Sequence, residues 1–272
     1  MRLLRECLKR QLNYMKKILL VLFLIVLSLG VFYLFWLSPK YTVPILTYHA
    51  IGYGEGSFFV TPENFSKQME YIKKNGYEVI TLDELVKGIQ SNKHFKKNKV
   101  VITFDDGYQD NFKYAYPILT EFHYPATIFL ITDYMGKEKG FLGWDEIRIM
   151  SKNNISFGGH TKNHFYLGIV ENNTVAQEQI AGSKRAVEQE IHQPSDYFCY
   201  PGGGFNEKIK QLVAQAGYKG ACATNRGFAH FNSDVYELKR IKVTNSDGNK
   251  PFSFWVKLSG YYNIARKEKS PY

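Results

Sequence analysis

Two carboxylates and three histidines stand where a chain would carry reactive groups. Asp105 and Asp106 are adjacent, follow the apolar run Val100-Val101-Ile102-Thr103-Phe104 and precede Gly107. Such a run reads as a strand buried on both faces of a parallel sheet. Like charges at its end repel, and a metal ion or an imidazole beside them relieves the repulsion. Asp-Asp-Gly is equally ordinary turn chemistry, so this stretch alone fits a turn or an active site. The second motif is His160-Thr161-Lys162-Asn163-His164. Histidines four apart share one face of a helical turn and can hold one ion, although surface pairs have the same spacing. His160 directly follows a predicted strand over 155–159, and barrels build their sites at strand ends. Two imidazoles and a carboxylate from another strand end leave one position open, the pattern of a catalytic divalent metal, most simply zinc. His49 ends a further apolar run, Pro44-Ile45-Leu46-Thr47-Tyr48. Its bland reading is a packed, hydrogen-bonded imidazole.

Strand ends can meet only if the strands lie side by side. Strands are predicted over 43–49, 77–81, 100–104, 126–131, 155–159, 197–200, 218–224 and 236–243, and helices over 61–75, 83–90, 108–122, 143–153, 174–193 and 206–217. Thr61 followed by Pro62 is a helix start, and Phe65, Met69 and Ile72 recur at helical spacing. Alternating strands and helices with short connections argue for an α/β fold with a parallel sheet. About eight strands with no paired halves favour a barrel over an open sheet. Tyr108, Tyr114 and Tyr116 read as helix packing, with Asp110 and Asn111 within reach of a site rim. Trp144 fits a groove wall or the core equally. Gly202-Gly203-Gly204 lacks the lysine and spacing of a phosphate loop, and His123, His192 and His230 have no evident partner.

Residues 18–37 (ILLVLFLIVLSLGVFYLFWL) carry no charge, which matches the length of a bilayer-crossing helix. Lys16 and Lys17 precede the run, and Phe32, Tyr33, Phe35 and Trp36 crowd its far end like an interfacial belt. Trp36-Leu37-Ser38-Pro39-Lys40 is a poor cleavage site, so an uncleaved signal anchor is favoured over a signal peptide. The expected organisation is a basic cytoplasmic stub (1–17), a transmembrane anchor (18–37) and an extracytoplasmic globular domain (38–272) at the cell membrane. The stub holds net +5 of the chain's +10. The remainder is spread too thinly for a nucleic-acid stripe, whereas an anionic wall polymer stays compatible. Cysteines are few (Cys7, Cys199, Cys222) and nothing in their spacing demands a disulfide.

Thr103-Phe104-Asp105-Asp106-Gly107 and His160-Thr161-x-x-His164 together resemble the first two motifs of the polysaccharide deacetylases (carbohydrate esterase family 4, the NodB-homology domain). The similarity spans about residues 43–245. It implies an irregular (β/α) barrel of seven or eight mostly parallel strands. By the same resemblance Asp105 is the catalytic base, and Asp106, His160 and His164 hold a divalent metal, zinc first, with Co2+, Ni2+ or Mn2+ as substitutes. Two departures stand out. Where the family places Arg-Pro-Pro-x-Gly, this chain has Cys199-Tyr200-Pro201-Gly202-Gly203, without the arginine that holds the base. The family's last motif, Leu-x-His, is also missing; its place falls on Leu238-Lys239-Arg240. His49 on the first strand is then the candidate catalytic acid, an arrangement similar to the circularly permuted poly-β-1,6-N-acetylglucosamine deacetylases. Arg240 is a candidate to orient Asp105, and Tyr200 (through its backbone N–H) and Pro201 are expected at the oxyanion or substrate. The implied activity is hydrolysis of N-acetyl groups on an envelope or exported N-acetylglucosamine polymer by a monomer. The rivals are deacetylation of chitin or acetylated xylan, and a catalytically silent glycan-binding protein on the same fold.

Overall fold

The computed structural model describes residues 2–224 and 233–266, so His230 lies outside the described residues. The chain divides into two compact units, Met1–Tyr41 and Thr42–Tyr272. The first is one helix, α1 (Arg2–Phe32), continued by a π turn (Tyr33–Leu37) and a 3-10 turn (Ser38–Lys40). Its apolar stretch has a mean hydropathy of 3.0 and is long enough to cross a membrane. Trp36 stacks on Phe32 at 4.8 Å and carries Lys40 Nζ 3.6 Å from its ring centroid, so apolar and charged groups meet where the helix ends.

The second unit alternates strands and helices. In order these are β1 (Ile45–Tyr48), β2 (Ala50–Ile51), β3 (Phe59–Val60), α2 (Pro62–Lys74), β4 (Glu78–Val79), α3 (Leu82–Gln90), β5 (Lys99–Phe104), α4 (Tyr116–Phe122), β6 (Ala126–Leu130), α5 (Trp144–Ser151), β7 (Ile155–Gly159), α6 (Asn173–Ile191), β8 (Tyr197–Cys199), α7 (Glu207–Gln215), β9 (Gly220–Ala223), β10 (Leu238–Lys239), β11 (Ile241–Lys242) and α8 (Pro251–Leu258). Local chemistry sets the helix starts. Thr61 caps α2 with Pro62 in the first turn, and Thr81 and Glu84 form a reciprocal capping box on α3. Asn172 and Asn206 accept from the first turns of α6 and α7.

All strand pairs in the main sheet are parallel, in the order β10-β9-β8-β7-β6-β5-β1-β11. Its two ends are one stretch of chain. Leu238 and Lys239 pair with Cys222 and Ala223 on one side, and Ile241 and Lys242 pair with Leu46 and Thr47 on the other. The segment 238–242 therefore closes the sheet into a barrel of seven strand positions, with Arg240 at the crossing point. Isoleucine, valine and phenylalanine from the strands pack outward under the helices. One cluster, centred on Tyr48, Phe65 and Phe104, is stitched by ring contacts of 5.1 to 5.9 Å.

Three details depart from the sequence expectation. Residues 108–122 are not one helix: a π turn (Asn111–Ala115) precedes α4, because Pro117 lacks an N–H and the Tyr116 N–H reaches back to Asn111 O instead. The ribbon β2–β3 and helix α8 are additional; the ribbon is two residues a side, too short to leave a periodic pattern. The 236–243 strand is split at Arg240, where pairing passes from β9 to β1.

Candidate metal centre and active site

Parallel strands bring their carboxyl ends to one rim, and four of them supply the site. β5 delivers Asp105 and Asp106, β1 delivers His49, β7 delivers His160, and the closing segment delivers Arg240. Asp106 adopts φ +72°, in the left-handed region that aspartate enters more readily than most residues with a side chain. Gly107 follows at φ +78°, and a Cβ there would meet Leu130 Cδ2 at 2.7 Å. The glycine therefore meets both a conformational and a steric demand.

Asp106 Oδ1 faces His160 Nε2 at 3.5 Å and His164 Nε2 at 3.6 Å. Tetrahedral bonds of roughly 2.1 Å to one ion put donor atoms about 3.4 Å apart. Asp106 Oδ1 is buried and has no hydrogen-bond partner among the described residues. A buried carboxylate oxygen left unsatisfied beside two imidazole nitrogens is explained by a cation between them. The donor set thus fits a divalent metal ion. Behind His160, Nδ1 donates to Cys199 O at 2.7 Å, which fixes the ring and presents Nε2 to the centre. His164 reaches the same point by a different route from the helical turn expected. Residues 161–163 form a turn, and Thr161 and His164 both sit near φ +61°. Thr161 Oγ1 accepts from the Phe165 N–H at 2.9 Å and holds that turn.

Asp105 lies alongside and is organised differently. Both oxygens accept from Arg240, Oδ1 from Nη1 and Oδ2 from Nη2, each at 2.7 Å. The guanidinium is 1% exposed and the carboxylate 4%. Burial pushes the Asp105 carboxyl up, but Arg240 overrides it and holds the group well below the usual carboxylate range. Arg240 also donates to Thr103 Oγ1 at 3.1 Å and to Cys199 Sγ at 3.0 Å. The arginine missing from the Cys199 position is thus replaced in space by one from the other end of the domain, with Cys199 packed against it. Burial raises the Cys199 thiol to about 11, and Cys199 and Cys222 are both free thiols. His49 Nε2 stands 3.8 Å from Asp105 Oδ2. Burial favours its neutral form, against the pull of Asp105 and Asp106.

These groups line one open cavity of about 360 Å³. Phe58 packs edge-on against the His49 ring at 4.6 Å. Tyr108, expected in a helix interface, forms part of the wall instead, with its ring stacked on Phe141 at 5.1 Å. Burial, reinforced by Asp106, pushes its phenol to about 12. Asn111 is fully buried and donates to His49 O at 2.8 Å, so it positions that residue. Trp144 packs against the core and is not among the cavity residues. Tyr200 lines the cavity, but its backbone N–H donates to Cys222 O at 3.1 Å within the sheet. Pro201 is buried and has no N–H to offer. The next amide, that of Gly202, is at the cavity wall in a short 3-10 turn (Pro201–Gly203) bent by φ +61° and has no hydrogen-bond partner among the described residues.

Comparison with known proteins gives the geometry a context. The family model described as polysaccharide deacetylase matches residues 92–221. YxkH of Bacillus subtilis (strain 168), whose name places it among the polysaccharide deacetylases, is 32% identical over 215 residues, 79% of this chain and 76% of that protein. The chain belongs to the polysaccharide deacetylase family. A second relative, the poly-β-1,6-N-acetyl-D-glucosamine N-deacetylase of Staphylococcus epidermidis, is 25% identical over 205 residues, 70% of this chain and 69% of that protein. Among solved structures, the Streptococcus pyogenes deacetylase PplD in complex with acetate superposes with a TM-score of 0.72 at 27% identity, covering 78% of this chain and 97% of that one.

For this polysaccharide deacetylase, a hydrolase of carbon–nitrogen bonds, the sequence motifs account for Asp105, Asp106, His160, His164 and His49. Asn111 is expected only at the rim, and Tyr108, Phe58 and Gly202 are not expected at the site. Asn111 and Tyr108 do carry a signal, since both lie within five residues of Asp106. Phe58 carries none, because a short ribbon folds it back over the site from outside any motif.

Proposed function

We propose that this protein is a metal-dependent N-deacetylase of an N-acetylglucosamine-containing envelope or exported polysaccharide, poly-β-1,6-N-acetylglucosamine or peptidoglycan. One observation carries the reading: a buried carboxylate oxygen with no hydrogen-bond partner among the described residues, Asp106 Oδ1, sits 3.5 and 3.6 Å from two imidazole nitrogens, while a second carboxylate is locked beside it. Asp106, His160 and His164 would hold the ion, zinc by preference for a nitrogen and oxygen set of this size, with cobalt, nickel or manganese as substitutes. A bound dication supplies a Lewis acid for the acetamide carbonyl and makes water more acidic.

The chain's own residues do the rest. Asp105 takes the attacking water's proton; Arg240 keeps it ionised, so the base is always in its accepting form. His49 gives a proton to the leaving nitrogen. Its lowered proton affinity makes its charged form the stronger acid. The Gly202 N–H, without a hydrogen-bond partner among the described residues, is the amide available to the developing oxyanion, rather than that of Tyr200. Loss of the motif arginine does not favour a silent glycan-binding protein, because Arg240 occupies its role toward Asp105.

The N-terminal helix acts as an uncleaved single-pass anchor, with the basic stub in the cytoplasm and the barrel outside as a monomeric domain. That arrangement brings the site to wall and exported polymers. The deciding experiment is metal content by mass spectrometry with acetate release from poly-β-1,6-N-acetylglucosamine, peptidoglycan strands, chitooligosaccharides and acetylated xylan, with and without chelator. Stoichiometric metal with chelator-sensitive release from the first two supports the reading. Absence of release from all four refutes it.

A further inference from the structure

The closing segment does more than supply Arg240. Alternate residues of a strand face the same side, so Lys242 lies on the face of Arg240, two residues nearer the rim, while Ile241 packs into the outer core. Lys242 is in register with Thr47, two residues before His49. Its ammonium is fixed: Nζ donates to Ser57 Oγ at 2.8 Å and stands 3.7 Å from the Phe58 ring centroid. The Phe58 ring in turn packs on His49 at 4.6 Å. Its backbone is held too, since Lys257 Nζ donates to Lys242 O at 2.9 Å. A cation is thereby placed one aromatic ring away from the candidate acid. Arg266 lines the same cavity.

The charge of this cavity is informative. Its charged lining is Asp105, Asp106, Arg240, Lys242 and Arg266, which gives one positive charge with the histidines and tyrosines neutral. A dication held by Asp106 and the two imidazoles raises that to three. A neutral N-acetylhexosamine polymer has nothing to match it, and the deacetylated product, whose free amine carries a proton, is repelled by it. An anionic substituent next to the acetamido sugar is attracted.

We propose that the site selects N-acetylated saccharides that carry an anionic group, carboxylate or phosphate, beside the sugar being deacetylated, and that Lys242 is the residue that reads it. The proposal rests on the deacetylase reading and narrows its substrate class. A purely structural role for Lys242, tethering residues 57–58, would affect neutral and acidic substrates alike.

The test compares three probes of equal length on the metal-loaded full chain: chitotetraose, a glycan with alternating lactyl carboxylates, and a phosphomonoester-bearing chitotetraose. A charge-assisted contact of ordinary strength corresponds to about tenfold or more in kcat/KM. The wild type should prefer at least one acidic probe over the neutral one by about that factor, and Lys242→Gln should bring the ratio close to one. Lys242→Arg should restore the ratio, and about 0.5 M salt should weaken it. The lactyl and phosphate arms identify which anion is read. A wild-type ratio near one, or a Lys242→Gln variant that loses both activities in proportion, overturns the proposal. If no probe releases acetate, the deacetylase reading fails separately. Calorimetric binding of the same probes to wild type and Lys242→Gln then decides the selectivity by the same ratio.

Discussion

Replacing Arg240 by methionine isolates the strongest interaction in the site. The substitution keeps most of the side chain's length and removes the guanidinium that holds both oxygens of Asp105 at 2.7 Å. Both groups are at least 96% buried, so solvent does not screen the pair. At a charge separation of ~4 Å and an effective dielectric of ~20 the attraction is about 4 kcal/mol. Removing one member of such a pair typically costs about 3–5 kcal/mol, because the other charge stays buried without a partner. For a domain of this size, about 2–4 °C per kcal/mol gives a fall in Tm of roughly 6–20 °C. Chemical denaturation of the metal-free protein measures it, in a cycle with Asp105→Asn and the double variant. The double variant should be less destabilised than the sum of the singles by about 2 kcal/mol or more. The pH dependence has a defined sign. In the wild type the folded Asp105 pKa lies below its unfolded value, so the pair's stabilisation is present above about pH 4 and fades as pH falls through the folded value. In Arg240→Met the buried carboxyl prefers its proton, so the gap between the two proteins is widest at neutral pH and narrows toward about pH 4. Additive single variants, or a gap that widens on acidification, would refute the reasoning.

Three further outcomes follow from the same geometry. His164→Ala, at a side chain 45% exposed, should leave Tm within about 2 °C while abolishing stoichiometric metal binding, read by mass spectrometry and thermal melts. His49→Gln should lower kcat by about 10²–10⁴-fold with metal content unchanged; a near wild-type kcat would remove its role as acid. Burial raises the Asp247 carboxyl, but hydrogen bonds from Lys257 and Thr244 hold it below its ordinary value, so its contribution to stability is complete above about pH 4 and is lost on further acidification. Asp247→Asn should flatten that acid limb in pH-dependent melts, and an unchanged limb would show that the acid sensitivity originates elsewhere.

The legible parts of this protein were those with local causes. Thr61 and Thr81 announce their helices because a cap is decided within four residues. The strand that leads into the carboxylate pair is likewise readable, since burial on both faces leaves a nearly continuous apolar run from Val100 to Phe104. Arg240 was visible as a basic residue on a late strand, but its partnership with Asp105 spans 135 positions of sequence and exists only because the barrel closes. The His160–His164 spacing suggested a helical turn. The structure uses left-handed backbone at Thr161 and His164 instead, with the turn held by the Phe165 N–H on Thr161 Oγ1, which the spacing alone does not show. Tyr200 was misleading for a related reason: its amide is spent on the sheet, and only pairing with Cys222 reveals that.

Ring closure through residues 238–242 has a consequence for biogenesis. A ribosome delivers those residues after every other strand, so the emerging chain holds an open sheet with two unsatisfied edges until its last stretch arrives. Until then Asp105 has no guanidinium against it, and the nascent polypeptide lacks the base proposed above. Maturation of this hydrolase is therefore timed by its own topology, and a chain stopped before residue 238 would leave the barrel unsealed and Asp105 without Arg240.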